Sequence, residues 1–578
     1  MPGTGAGRGG GDGGRGRERD GNGGGNRGSG RADGVAAPGR RLAVNASIVM
    51  CATIASRVTG FFREMLIPAK FGVGYVADVY DVAFKFPDLM FSLLIGGAIS
   101  AALVPVLSGS ISLGGGDERE GWESVSRFMN LTMALTLVVC AVGAVFAERL
   151  VVLFAQGWDP AVPEDLQKIV MAARLTRVLF PSVAFLMLAG FANSVLYAYQ
   201  RFAAAAFGPV LYNVLCIASI AFLSGGDAGD YYHVDRVVYG VMLSSFAYFI
   251  FQTANAWKNI RGRFVFRLDA RHKGFLRLFR IAVPSLVSSS VIQVNTMISA
   301  SFSSRFEAGS IIALRMADRT WQMPFGIIAQ SMGIALLPNL SGKIANGDLA
   351  GYRKLLLQGL RVVLLLAVPT AAACVVLNRL IMRTLFLNSA RTTEADVALT
   401  ASILACYSIA LVTQSINTIL TRAFYACNET KTPMITGLSI IGLNILLSVL
   451  FYFFTPVGVK GMALAYSASS FVNALLLVTL LNRRLPGLNV FSGMGGFFAK
   501  IFGAALAMAA LLALLGAFVP EVWVAGPVGP ALKIRQLLVL FGNAVVGACA
   551  YFSLLLCLRV PEVVRLFERV VKINKFDK

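Results

Sequence analysis

The sequence predicts an all-α membrane protein of about fourteen transmembrane helices, with two six-helix lobes in a pseudo-twofold arrangement followed by two further helices. Hydrophobic residues make up 56% of its 578 residues and charged residues only 14%, whereas a soluble domain carries about 25% charged residues. Apolar runs of roughly 20 residues, enough to cross a bilayer, recur from end to end. These runs are continuous and lack the alternation of a transmembrane barrel.

The chain begins with a tail, residues 1–41, that is rich in Gly and Arg and has almost no apolar content. Such a segment cannot bury a core, so we expect it to be disordered, and it lacks the apolar region of a signal peptide. The expected domains after this tail are the first lobe at 42–260, the second lobe at 261–485, two additional helices at 486–560 and a basic cytoplasmic tail at 561–578.

The fourteen expected spans follow from run length and polar breaks. They lie near 43–67, 79–108, 128–155, 169–199, 205–224, 237–257, 276–303, 308–341, 355–378, 398–426, 433–455, 459–482, 497–519 and 534–558.

Loop charges indicate the orientation of these spans. An even number of spans places both termini on one side, and the most basic loop, between spans six and seven, lies on that side with both tails. The loops on the opposite side carry Asp159, Glu164 and Asp165, and later Asp227 and Asp230. Because basic residues collect in cytoplasmic loops, both termini are expected in the cytoplasm. The net charge of +22 therefore indicates membrane topology, with no nucleic-acid partner.

A short motif occurs twice at corresponding positions. Residues 102–109 read ALVPVLSG and residues 335–342 read ALLPNLSG, so six of eight positions match. The first copy ends span two and the second ends span eight. This spacing predicts a duplicated six-span unit in which both copies have the same orientation, and such repeats place a substrate path between lobes.

Cysteine and histidine patterns argue against an enzyme or a metal site. None of the eight cysteines forms a C-x-x-C pair, and the only two histidines, His233 and His272, lie in polar loops. The chain has no phosphate-binding loop of nucleotide motors. We therefore expect no catalytic residue, no metal and no cofactor.

Charged residues inside the first span raise the question of function, because burying a charge in hydrocarbon is costly without compensation. Arg57 and Arg63 are six residues apart, about 9 Å along a helix, and Glu64 follows directly. Glu64 is seven residues from Arg57 on the same face, so the two can pair. One interpretation is a salt-bridged packing element, and the other is an anion site in a hydrated cavity.

The second span carries Asp78, Asp81, Lys85 and Asp88. Lys85 is spaced to pair along one helical face with either Asp81 or Asp88. Asp78 stands where the helix begins and is placed to cap it. Pro87 is expected to kink the helix. Pairing and substrate contact are both open here.

The eighth span contains Arg315, Asp318 and Arg319, followed by Pro324. The two arginines share a face, and the spacing favours an ion pair between Arg315 and Asp318. Arginine suits bidentate phosphate binding. A cavity with arginine on both walls predicts an anionic substrate, such as a phosphate or pyrophosphate.

The segments SRVTGFFRE, FGVGYVADVYDVAFKFPDL, MADRTWQMPFGIIAQSMGIALLPNLS and YACNETKTP resemble the signature of the MurJ (MviN) lipid II flippases, a family of the multidrug/oligosaccharidyl-lipid/polysaccharide exporter superfamily. The resemblance covers roughly residues 43–560. It implies a flippase that moves the undecaprenyl-pyrophosphate-linked peptidoglycan precursor to the outer leaflet of the bacterial cytoplasmic membrane by alternating access. It also implies that the two last helices form a groove for the lipid tail.

By this resemblance, Arg57, Arg63 and Arg319 match the family's cavity arginines. Glu64 matches an acidic neighbour, and Asp78 matches a functionally important aspartate. This chain departs from the pattern at three positions: Phe91, Gly96 and Gln322 stand where the family usually has arginine, glutamate and glutamate. We hypothesise that Arg315 or Lys85 compensates.

The resemblance further implies lipid II and membrane lipids as partners, a monomer, and contact with peptidoglycan synthesis proteins as one possibility. The energy source stays open between the membrane potential and a coupling ion, Na⁺ or H⁺, at Asn417, Asn428 or Asn444, which serve equally well as helix glue. Two alternatives also stay open. One is a polysaccharide-precursor flippase or another exporter of the superfamily, and the other is a membrane scaffold for envelope biogenesis that transports nothing.

Overall fold

A computed structural model describes residues 38–93, 100–112, 116–225, 233–282, 297–386, 392–485, 489–518 and 529–568, apart from 270, 277, 281, 428 and 566–567. The chain divides into two compact units, Met1–Ala46 and Ser47–Lys578. Of the first unit only the beginning of a helix is described, so most of the expected tail lies outside the described residues. The predicted domain boundaries stay predictions.

The regular elements of these ranges are all helices. Those of the first half are α1 (Pro38–Phe71), α2 (Tyr75–Leu93), α3 (Ser100–Ser112), α4 (Gly116–Val145), α5 (Ala147–Phe154), α6 (Pro163–Ala198), α7 (Phe202–Leu223) and α8 (His233–Ile260).

The second half begins with α9 (Ser310–Phe325), which runs through a π-helical segment, Gly326–Gln330, into α10 (Ser331–Ala345). It continues with α11 (Leu349–Val376), α12 (Asn378–Phe386), α13 (Glu394–Ala426), α14 (Lys431–Phe454) and α15 (Lys460–Arg484), and α16 (Gly495–Phe518) and α17 (Pro530–Cys557) follow.

Among the described residues, eleven helices are long and apolar enough to cross a membrane, judged by length and composition. They overlap eleven of the fourteen expected spans. The first expected span lies in α1, and the second lies in α2 and α3, on either side of undescribed residues. Much of the seventh, 276–303, lies outside the described residues. The all-helical membrane architecture is therefore confirmed.

Each half is built around one central helix. In the first half α6 packs against α2, α3, α4, α5 and α8, and in the second half α13 packs against α9, α10, α11, α12 and α15. Helix α6 is the fourth expected span and α13 is the tenth, so the two central helices occupy equivalent places in the predicted repeat. The last two helices pack on each other and on α11.

The largest apolar core joins helices of both halves. It includes Val79 and Ala83 of α2, Leu175 of α6, and Ile312 and Trp321 of α9. Since these residues are almost fully buried, they hold α2 and α9 in fixed relation. This placement brings the charged residues of the two helices together.

Candidate anion-binding site between the two halves

Five charged side chains from α1, α2 and α9 form one continuous network. The Glu64 carboxylate receives Arg63 Nη2 on one oxygen and Arg315 Nη2 on the other, each at 2.8 Å. Arg315 also pairs with Asp81, and Lys85 Nζ lies 2.7 Å from the second Asp81 oxygen. Arg315 of the second half is thus held between carboxylates of the first half.

Burial makes this network energetically sensitive. The side chain of Asp81 is fully buried, and those of Arg315 and Glu64 are 15% and 16% exposed. A buried ion pair gains little over apolar packing, but removing one partner strands the other charge and costs several kcal/mol. The network therefore fixes the relation of α9 to α1 and α2 while all its members are present.

Two predicted local pairs are wrong. Arg315 was expected to pair with Asp318, but Asp318 accepts hydrogen bonds from Trp321 Nε1 at 3.0 Å and Gln322 Nε2 at 2.6 Å. Arg57 was expected to pair with Glu64, which is occupied by two other arginines. In both cases tertiary packing offered the arginine a partner on another helix, which is a carboxylate for Arg315 and an amide for Arg57. The predicted pair of Lys85 with Asp81 is confirmed.

Asp78 caps a helix, but not its own. Its carboxylate accepts hydrogen bonds from the backbone N–H of Gly309 at 2.6 Å and of Ile312 at 2.8 Å, at the beginning of α9. Gly309 has a φ of +91°, a conformation that suits glycine. A carboxylate at a helix N-terminus satisfies free N–H groups and opposes the positive end of the helix dipole. Asp78 thereby ties α2 to α9 at one end of the network.

Arg57 lies toward the other end and is exposed. Its Nη2 donates a hydrogen bond to Gln330 Oε1 at 2.7 Å, at the end of the π-helical segment. A side chain at Gly326 would collide with the Arg57 guanidinium. Because its partner is a neutral amide, Arg57 keeps its full charge available to a ligand.

A cavity of about 300 Å³ lies beside Arg57 and the Arg63–Glu64 end of the network. Its charged lining comprises Arg57, Arg63 and Arg319 against the single carboxylate of Glu64. Among the described residues, Arg319 has no hydrogen bond or ion pair. The cavity therefore presents positive charge with unused donors, as an anion site requires.

A second cavity, of about 260 Å³, lies on the other side of Arg319. Its charged lining is more balanced and consists of Lys85, Asp88, Arg315, Asp318 and Arg319. Tyr407 and Tyr466 also line it. The two cavities share Arg319, so a ligand bound at this arginine has polar space on both sides.

Several partners in the site were missed by sequence reasoning. Asn213 on α7 accepts a hydrogen bond from Arg63 Nη1 at 3.3 Å and donates one to the Ser56 carbonyl at 3.1 Å. The Arg63 guanidinium also lies over the Tyr212 ring, 5.6 Å from its centroid. These contacts join α7 to α1 across 150 residues of chain, and no local pattern signals them.

The asparagines considered for a coupling ion have different surroundings. Asn417 Nδ2 donates to the Ser470 carbonyl at 3.1 Å and lies 3.2 Å from its hydroxyl, which joins α13 to α15. Asn444 is buried in α14, and Asn428 lies outside the described residues. The contacts of Asn417 fit a packing role, and ion coupling stays a prediction.

Comparison with known proteins identifies the relatives of this chain. The family model described as "Lipid II flippase MurJ" matches residues 67–531. A protein of Burkholderia cenocepacia named "Lipid II flippase MurJ" is 32% identical over 469 residues, which are 80% of this chain and 87% of that protein. A "Probable lipid II flippase MurJ" of Rhizobium meliloti is 28% identical over 87% of this chain and 91% of its own length.

Solved structures agree at the level of fold. A structure titled "Lipid II flippase MurJ, inward closed conformation" superimposes with a TM-score of 0.70 at 24% identity, over 88% of this chain and 99% of that one. An inward-facing multidrug transporter of the MATE family gives a TM-score of 0.60 at 15% identity over 78% of this chain and 99% of that one. Since the family model spans most of the chain, the protein belongs to the MurJ lipid II flippase family.

Proposed function

We propose that this protein flips lipid II, the undecaprenyl-pyrophosphate-linked peptidoglycan precursor, from the inner to the outer leaflet of the bacterial cytoplasmic membrane. The observation that carries the proposal is the 300 Å³ cavity with three arginines and one carboxylate between the two halves. Family membership supports the pyrophosphate of lipid II as the bound anion. Guanidinium groups suit pyrophosphate, because it accepts paired hydrogen bonds.

In this proposal Arg57, Arg63 and Arg319 bind the pyrophosphate. Glu64 is a built-in competitor for the substrate anion, because its carboxylate pairs with Arg63 and Arg315. An arriving pyrophosphate that replaces this carboxylate as the partner of Arg315 breaks the Glu64–Arg315 pair, which is the contact that fixes α9 to α1. A ligand shifts a conformational equilibrium only by its differential affinity for the two states, and this exchange of anions supplies the difference.

The two ends of the site support alternating access as the mechanism of this proposal. With both termini in the cytoplasm, α1 runs outward and Asp78 lies toward the periplasmic end. Its bonds to the start of α9 close that end, while the exposed Arg57 faces the cytoplasmic end. Outward opening requires that α9 leave Asp78 and that Arg315 leave Asp81.

The energy source belongs to the same proposal. Moving an anion outward is favoured by an inside-negative potential, by about 2.3 kcal/mol per charge per 100 mV. Coupling to Na⁺ or H⁺ is the alternative. The protein acts as a monomer on lipid II and membrane lipids, and through this substrate it serves cell-wall synthesis and cell shape, with peptidoglycan synthesis proteins as further partners.

The test is reconstitution of the full chain into liposomes that contain fluorescent lipid II, with an impermeant reagent that reports the outer-leaflet fraction. We expect flipping that depends on the protein and is lost in Arg57→Gln/Arg319→Gln. A parallel sample with another undecaprenyl-pyrophosphate-linked glycan distinguishes a polysaccharide-precursor flippase. If the protein leaves the outer-leaflet fraction of lipid II unchanged, the proposal is contradicted. If it leaves the fractions of both lipids unchanged, a scaffold is favoured.

A further inference from the structure

A third cavity, which is also basic, lies away from the central site. At about 610 Å³ it is the largest of the three. It is bounded by the first turns of α11, the end of α15 and the segment that follows α17. Its charged lining consists of Arg353, Lys354, Arg361, Glu562 and Arg565.

The cavity opens at one end of the helical bundle. Helix α11 is a candidate membrane span that begins at Leu349, and α15 is one that ends at Arg484. The loop charges assign both of these ends to the cytoplasmic side. The cavity therefore lies where lipid headgroups of the inner leaflet meet the protein.

Its charge is strongly positive, with four basic side chains against one carboxylate. The carboxylate belongs to Glu562, which pairs with Arg361 at 2.9 Å and lies 3.9 Å from Arg565. Lys354 and Arg565 are exposed on the two walls. The Arg361 Nε is buried and has no hydrogen-bond partner among the described residues.

We propose that this cavity binds the phosphate group of an anionic membrane lipid. The basic side chains of α11 and Arg565 hold the phosphate, and Leu349, Leu357 and Leu485 contact the glycerol and the first methylenes of the acyl chains. Basic residues near the surface of a membrane attract anionic lipid. The bound lipid joins α11 to the segment after α17, and the site does not depend on what the central cavity transports.

The test is native mass spectrometry of the full chain titrated with phosphatidylglycerol or with phosphatidylcholine. The variant is Lys354→Gln/Arg565→Gln, since both side chains are exposed. The matched control is Arg483→Gln/Arg484→Gln, which removes two exposed charges at the end of α15 from outside the lining. We expect the wild type and the control to prefer phosphatidylglycerol, and the variant, which lacks two basic charges, to bind it about thirtyfold more weakly.

A third variant, Glu562→Gln, is expected to strengthen phosphatidylglycerol binding, because it removes the only carboxylate of the lining. Inorganic pyrophosphate is added in a separate arm, and displacement of phosphatidylglycerol by it supports a site for the phosphate group. Binding of pyrophosphate without any preference between the two lipids would overturn the lipid assignment. Equal weakening in the variant and the control would overturn the site itself.

Discussion

Helices α2 and α9 occupy corresponding places in the two repeats, since each leads into one copy of the repeated motif, yet they carry opposite charges at the point of contact. Helix α2 presents Asp78 and Asp81, and α9 presents Arg315 and its N-terminus. Both helices also contain an internal proline, Pro87 in α2 and Pro324 in α9.

This difference in charge allows a duplicated unit to form an interface with itself. Equivalent helices that meet across a pseudo-twofold axis would bring like charges together if the copies were identical, and such pairs repel. Here one copy carries the carboxylates and the other the guanidinium. The two halves attract at this interface, and loss of either partner weakens it.

The largest effect is expected from Arg315→Ala, which leaves the Glu64 and Asp81 carboxylates without their shared partner. Breaking a buried pair in this way costs about 3–5 kcal/mol. Unfolding of the detergent-solubilised protein by SDS, followed by tryptophan fluorescence, gives the loss. A change below about 1 kcal/mol would mean that the interface does not depend on this arginine.

A smaller loss of unfolding free energy is expected from the double variant Asp81→Asn/Arg315→Gln. The Asp81 carboxylate is removed together with its arginine partner, so it is not left buried and unpaired. The coupling energy from the cycle of single and double variants is expected at about 1–3 kcal/mol, in the range for residues in contact. The same SDS titration measures it. Strictly additive losses would show that the two residues act independently.

The next largest effect on the free energy of unfolding is expected at Asp78, which caps α9. Asp78→Ala removes the acceptor for the N–H groups of Gly309 and Ile312 and is expected to cost about 1–2 kcal/mol, as loss of a helix cap does. Hydrogen exchange of the peptide that contains residues 309–313 should become faster, with residues 420–424 of α13 as the unchanged reference. Unchanged exchange at 309–313 would contradict the cap.

The smallest effect on stability is expected from Arg57→Gln, since Arg57 is exposed and bonded to a neutral amide. The free energy of unfolding should change by no more than about 0.5 kcal/mol. Lipid II affinity should nevertheless fall about tenfold, because a hydrogen bond between charged groups is lost. A large loss of stability with unchanged affinity would make Arg57 a structural residue.

The fold could be predicted from the sequence because each span has its own apolar run, and eleven of the expected spans overlap helices that meet the length and composition of a membrane crossing. The site could be predicted only in part. Arg57, Arg63 and Arg319 line one cavity, and their contact with a substrate stays a prediction. The partners of Arg315 and Asp78 could not be predicted, because they lie more than 230 residues away in the chain.

The roles of Asn213 and Gln330 as partners of Arg63 and Arg57 could not be predicted for the same reason. A polar residue within an apolar run indicates that a partner exists, but the partner depends on how helices pack. Helix periodicity favours pairs three or four residues apart, and this preference led to the wrong partner for Arg315. The charged residue types were informative, whereas their pairing required the tertiary structure.

The most direct test of the central claim is the affinity of the purified chain for lipid II by native mass spectrometry, with phosphatidylglycerol as competitor. The wild type is compared with Arg57→Gln/Arg319→Gln and with the surface control Arg483→Gln/Arg484→Gln. We predict selective lipid II binding in the wild type and the control, and its loss in the folded cavity variant. Equal lipid II binding by all three proteins would contradict an arginine-lined pyrophosphate site between the two halves.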